Sequence, residues 1–202
     1  MIHFKNIRWK NLLSTGNAWT EIQFDKSPST LIIGENGSGK STVLDALTFA
    51  LFNKPFRNIS KPQLVNSINR KKLLVELNFS IGRRNYLIRR GEFPKVFDIE
   101  INGIKLDKDA NIRDSQNYLE ESILKLNYKS FTQIVMLGSS SFTPFMQLHL
   151  GARREIIEDI LDITIFTSMN KVLKDKITLL ENEIRILESD IELAKQKATL
   201  QE

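Results

Sequence analysis

Residues 34–41 read Gly-Glu-Asn-Gly-Ser-Gly-Lys-Ser, a complete match to the G-x-x-x-x-G-K-[ST] spacing of a phosphate-binding loop. Its chemistry follows from the residue types. Glycines let the backbone fold into a nest of N–H donors, and a helix starting just after the loop adds its positive end. Lys40 is then the cation for the β- and γ-phosphates of a nucleoside triphosphate, and the Ser41 hydroxyl is a ligand for magnesium. The competing reading is a glycine-rich turn that binds nothing. Only a strand before the loop and a helix after it decide for chemistry.

Both flanks have the expected pattern. Thr30-Leu31-Ile32-Ile33 is a short apolar, β-branched run, and Thr42 to Phe52 carries helical periodicity. Upstream, Ile2–Trp9 and Thr20–Phe24 read as strands, with a turn at Ser27-Pro28-Ser29. After the helix, a polar connector from Asn53 to Asn69 leads to strands at Leu73–Ile81, Asn85–Arg90 and Val96–Ile101. Asn102-Gly103 is a two-residue hairpin signal before Ile104-Lys105-Leu106. These strands are expected to form an antiparallel layer beside the nucleotide-binding sheet.

Further on, Asn111–Leu126 reads as a helix and Ile134–Leu137 as a short buried parallel strand. The loop Gly138-Ser139-Ser140-Ser141 follows, then a helix from about Gly151 to Leu161. From Phe166 the pattern changes. Leu173, Ile177, Leu180, Ile184, Leu187, Ile191, Ala194 and Ala198 alternate spacings of four and three, with no Gly or Pro to the end. Such a seam predicts a coiled coil; a single amphipathic helix packed on the domain is the alternative. The pattern is still running at Gln201-Glu202, as in a longer arm that has been cut or split.

Composition sets wide bounds. The 202 residues suit one domain with an appendage, and 41% hydrophobic with 26% charged content is ordinary for a globular chain. The absence of cysteine excludes disulfides and thiolate zinc sites, and fits a reducing cytoplasm. Neither a signal-peptide core nor an apolar stretch long enough for a bilayer is present. The net charge of +5 is compatible with a polyanion. Arg70-Lys71-Lys72, Arg83-Arg84 and Arg89-Arg90 carry much of it, and a solvated sheet face explains them as well as DNA does.

Several other residues carry less. Glu158-Asp159 and Asp162 sit on a helix with Ile156, Ile157, Ile160 and Leu161 and read as its solvated face. His3 and His149 lack companions at metal-ligand spacing. Asn53-Lys54-Pro55-Phe56 is not a guanine-reading Asn-Lys-x-Asp motif.

A phosphate loop followed by a coiled coil resembles the SMC-like ABC ATPases of the SbcC type, partners of a double-strand-break nuclease. The residues carrying the likeness are Phe4-Lys5-Asn6-Ile7, Trp9-Lys10-Asn11 and the block from Leu31 through Leu47. The segments Phe49–Arg57, Leu73–Leu77, Gln133–Gly138 and Phe142–Met146 are most similar to one subgroup, the ATPase subunits of recombination exonucleases in T-even-type bacteriophages. That resemblance implies an α/β fold: the N-terminal half of an ABC-type P-loop ATPase head with mixed β-sheets over residues 1–165. A long coiled-coil helix would begin the arm at 166–202.

It implies further that Asn36, Gly37, Ser38, Gly39, Lys40, Ser41 and Thr42 bind ATP and magnesium. Ser139 stands where the family places a glutamine that senses the γ-phosphate and magnesium, and Gln133 is not its equivalent. An arginine found after the first strand in many relatives is replaced by Leu12 or Leu13. The implied partners are a metallophosphoesterase-type nuclease subunit, double-stranded DNA and a second copy joined through ATP-sandwiched heads and the arm, in the host cytoplasm and off the membrane. Walker B acid, catalytic glutamate and signature motif are not found in the sequence. The expectation is therefore ATP binding without turnover by this chain alone. A chromosome-organising SMC protein without a nuclease and a stand-alone P-loop phosphotransferase remain the other readings.

Overall fold

The computed structural model describes residues 2–106, 112–136, 143–161 and 163–199. Its contacts cluster into two compact units, Met1–Ile156 and Ile157–Glu202.

The first unit is organised by a six-stranded sheet: β1 (Ile2–Lys10), β2 (Thr20–Gln23), β3 (Leu73–Ile81), β4 (Arg84–Glu92), β5 (Val96–Ile101) and β6 (Ile104–Lys105), in the order β2-β1-β3-β4-β5-β6. Every pairing is antiparallel. Alternation along the strands sorts the side chains by face. Ile7, Trp9, Val75, Leu77, Phe79, Tyr86, Ile88 and Ile99 are buried. The other face carries a charge ladder in which Glu76 accepts from Arg8 Nε at 2.6 Å and Arg89 Nε at 2.8 Å. Arg89 also reaches Glu100 at 3.1 Å.

Helix α1 (Thr42–Phe52) is buried at every position except Leu44, and its apolar residues join the core beneath the sheet. It ends at Asn53, left-handed at φ 57°, whose N–H returns to the Phe49 carbonyl. A 3₁₀ turn over Lys61–Leu64 precedes β3. Then come α2 (Ile112–Asn117), a π-helical turn over Tyr118–Leu124, α3 (Tyr128–Ile134) and α4 (Leu150–Ile160). The expected helix over 111–126 thus changes from α to π geometry at Tyr118. The second unit contains α5 (Thr164–Thr199), an unbroken helix of 36 residues.

Two expected strands do not form. Residues 30–33 have no regular structure, with Leu31 and Ile33 more than four-fifths exposed. Ile134 ends a helix begun at Tyr128, where the Asn127 side chain accepts from the Ser130 N–H. Ile134 and Val135 are about half exposed and Met136 is buried. The physical reason is common to both. A strand exists only as part of a ladder, and no described segment pairs with either run.

Candidate functional site

The phosphate-loop pattern folds into one wall of a cleft of about 440 Å³. Gly37 and Gly39 hold φ of 85° and 94°, conformations that glycine adopts without steric cost. Thr42 N–H donates to the Gly39 carbonyl at 2.9 Å and starts α1. Lys40 Nζ donates to the Gly34 and Glu35 carbonyls at 2.7 and 2.6 Å. An ammonium has three N–H groups, so one more remains to be directed at an anion. Ser41 is exposed at the N-cap of α1, and its side chain makes no capping bond.

Asn36, Gly37, Gly39, Lys40, Ser41 and Thr42 line a single cleft. Ser38 lies in the loop but not among the lining residues. Ser139 falls outside the described residues, as do Leu137–Ser141 and Asp162.

The cleft also has residues that the motif does not supply: Leu13, Ser14, Leu44, Asp45, Phe56 and Arg57. Asp45 lies four residues after Ser41 on the same helix face and is completely buried. Its Oδ1 accepts from the backbone N–H groups of Phe56 and Arg57 at 3.1 and 3.2 Å. The loop after α1 is pinned again where Tyr128 donates its hydroxyl to the Pro55 carbonyl at 2.8 Å. Burial pushes the Tyr128 hydroxyl above its ordinary pKa, and the Asp45 charge adds to the shift. The sequence signal that could have found Asp45 is a lone charge on an otherwise uncharged helix, which must find a partner.

The basic clusters separate by environment. Arg83 and Arg84 are exposed at the β3–β4 turn, and Arg70, Lys71 and Lys72 are exposed. Arg89 belongs to the charge ladder, and Arg90 is 3% exposed on the core side of β4. Arg90 is therefore not a solvent-facing cation for a polyanion, and the part-exposed Arg89 is committed to Glu76 and Glu100. Among the described residues no cluster of His, Asp and Glu could hold a metal ion, and no helix is long and apolar enough to cross a membrane.

A profile of the AAA domain matches residues 3–202. Exonuclease subunit 2 of Escherichia phage RB69 is 44% identical over 183 residues, covering 91% of this chain and 32% of that protein. Exonuclease subunit 2 of Enterobacteria phage T4 is 46% identical over 176 residues, 86% of this chain and 31% of the relative. The DNA double-strand break repair Rad50 ATPase of Thermoplasma acidophilum is 30% identical over 186 residues, 90% of this chain and 20% of its own length. The chain spans about a third or less of the curated relatives it matches.

Among solved structures, an SMC ATPase studied for ATP-driven dimerization superimposes with TM-score 0.55 at 24% identity, covering 78% of this chain and 99% of the other. The Smc head domain of Pyrococcus furiosus gives TM-score 0.54 at 23% identity, over 92% of this chain and 48% of its own. The fold is that of SMC ATPase heads.

Proposed function

The chain belongs to the AAA domain family over residues 3–202, and from that premise we propose that it is the nucleotide-binding part of an ATPase subunit of a DNA recombination and repair exonuclease. One observation carries the reading. The phosphate loop is folded with its two left-handed glycines, and Lys40 and Ser41 share one cleft. Residues 1–165 are the N-terminal lobe of the head, and 166–202 begin the arm. The phage exonuclease subunits guide the assignment more than the Smc heads, whose identity is much lower.

The residues present fit ATP with magnesium. The N–H groups of Gly37, Gly39, Lys40 and Ser41 and the third N–H of the Lys40 ammonium would hold the phosphates, while Ser38 N–H already donates to the Glu35 carbonyl at 3.2 Å. Thr42 starts the helix whose positive end would favour them. Ser41 offers a hydroxyl to magnesium, which supplies neutralisation of the β- and γ-phosphate charge. Among the described residues Asp45 is the only carboxylate lining the cleft, and it is occupied by Phe56 and Arg57. No free carboxylate is therefore left among the described lining residues to act on an attacking water, and on this reading the chain binds ATP and turns it over only at background rate. In the whole protein, a second ATP-sandwiched head completes the site, and head closure gates a metallophosphoesterase-type nuclease on double-stranded DNA. Ser139 takes the place of the γ-phosphate-sensing glutamine.

The test combines binding and turnover. Purified chain titrated with Mg-ATP is expected to bind, with phosphate release at the buffer rate. Robust hydrolysis by the chain alone sinks the half-site reading. Co-purification of the whole subunit with a nuclease whose rate responds to ATP supports the partner assignment, and a whole subunit that gates no nuclease contradicts it.

A further inference from the structure

Leu13 and Ser14 reach the cleft from the turn after β1. Leu13 holds φ 52°, left-handed backbone that a bulky residue keeps only where its surroundings enforce it. Asn66 supplies the side-chain part of that enforcement, beside the bond from Leu13 N–H to the Leu64 carbonyl at 2.7 Å. Its side-chain Nδ2 donates to the Leu13 carbonyl at 2.9 Å and to the Thr15 carbonyl at 3.1 Å, so the two bonds straddle Ser14. Its Oδ1 accepts from the Ile68 and Asn69 N–H groups at 3.0 and 2.8 Å. Its own N–H donates to the Asn11 carbonyl at 2.9 Å. Asn66 is 4% exposed, and both amide donors and both acceptor positions are used.

We propose that Asn66 is a positioning residue of the nucleotide site: its amide clasps the Leu13–Thr15 turn and holds Leu13 and Ser14 at the phosphate cleft. The inference rests on the reading of that cleft as an ATP site. The turn keeps the bonds of Leu13 N–H to the Leu64 carbonyl at 2.7 Å and Thr15 N–H to the Leu12 carbonyl at 3.0 Å. Without the clasp, however, the Leu13 and Thr15 carbonyls lose their donor and the side of the turn that lines the cleft loosens. The chemistry of the clasp is selective. A carboxylate at this position accepts from Ile68 and Asn69 but donates nothing to the turn. Asn66→Asp therefore removes the two bonds that matter and keeps the two that shape residues 66–69. Asn69 serves as the control. It donates to Asn11 Oδ1 at 2.7 Å in the same buried network and makes no bond to the Leu13 or Thr15 carbonyl.

The experiment titrates Mg-ATP into the wild-type chain, Asn66→Ala, Asn66→Asp and Asn69→Ala, with thermal melts in parallel and binding read well below each melting point. Both Asn66 variants are expected to raise Kd by about tenfold or more. Asn69→Ala is expected to lower the melting temperature while Kd stays within about twofold. A folded Asn66→Asp that binds with wild-type Kd overturns the proposal, as does Asn69→Ala weakening binding equally. A wild-type measurement needs no variant: Mg-ATP should slow amide exchange across residues 11–16, and unchanged exchange there overturns the clasp even if the variants misfold. Failure of the wild-type chain to bind Mg-ATP removes the ATP-site reading itself, an outcome distinct from binding that ignores Asn66.

Discussion

The buried Asp45 carboxylate holds the half-exposed Arg57 guanidinium through two contacts of 2.7 Å, from Nε and Nη2 to the same Oδ2. Together with the two backbone N–H groups on Oδ1, this folds the segment after the phosphate-loop helix back to the cleft that the helix serves. Asp45→Ala removes the shared acceptor of both N–H groups and of the Arg57 guanidinium and leaves a cavity in place of a buried side chain, and should destabilise the chain by about 2–4 kcal/mol. Arg57→Gln should cost much less, about 1 kcal/mol or under, because solvent already screens its side chain. Urea unfolding of the two variants checks the order. An equal loss in both would place the stabilisation in the ion pair and not in the backbone bonds.

Arg90 joins the sheet to the far end of the same helix. Its Nε donates to the Ala50 carbonyl at 2.9 Å, its Nη2 to Gln116 Oε1 at 2.6 Å, and its guanidinium lies 3.7 Å from the Phe97 ring centre. Burial pushes it down to about 9, against the opposing charge of Glu120. The unfolded chain keeps its proton to higher pH, so above about pH 9 the unfolded state binds more protons and this residue's contribution to stability rises with pH. Below that value both states are charged and the contribution is flat. The stability difference between wild type and Arg90→Gln should therefore be constant near neutral pH and grow in favour of wild type above about pH 9. Denaturant melts across that range measure it, and a difference that shrinks on the alkaline side has the wrong sign.

The apolar stripe of α5 makes a third prediction. Leu173, Ile177, Leu180, Ile184, Leu187 and Ile191 are 45–60% exposed, along a helix of about 54 Å at ~1.5 Å per residue. Such a seam is costly in water, and in the proposed arm a second helix would cover it. This chain should self-associate as its concentration rises. Leu180→Asp with Leu187→Asp should abolish that association and leave Mg-ATP affinity unchanged. Sedimentation velocity reads it, and a monodisperse wild-type monomer at high concentration would falsify the coiled-coil assignment.

What the sequence could tell depended on the range of the interactions. The phosphate loop was legible because its eight residues and their flanks act locally, and α1 and α5 because their periodicity is uninterrupted. Strands β3 to β6 were legible through turn residues such as Asn102-Gly103 and through alternation. The Thr30–Ile33 and Ile134–Leu137 runs have strand composition, yet strand formation depends on neighbours that composition does not encode. Asp45 with Arg57, and Asn66 with Leu13 and Thr15, are pairings across 12 to 53 residues of chain. A lone carboxylate among uncharged helix residues is the one local signal that could have found the first. Nothing local marked Asn66, one asparagine among several in its connector.

The measurement closest to the central claim is a calorimetric titration of Mg-ATP into the wild-type chain, Lys40→Ala and Ser41→Ala, each repeated with magnesium chelated. The account predicts saturable binding by wild type and none by Lys40→Ala, which lacks the cation facing the β- and γ-phosphates. Ser41→Ala should bind with a reduced response to magnesium. Binding by Lys40→Ala as tight as wild type, or no binding by the folded wild-type chain, would contradict it.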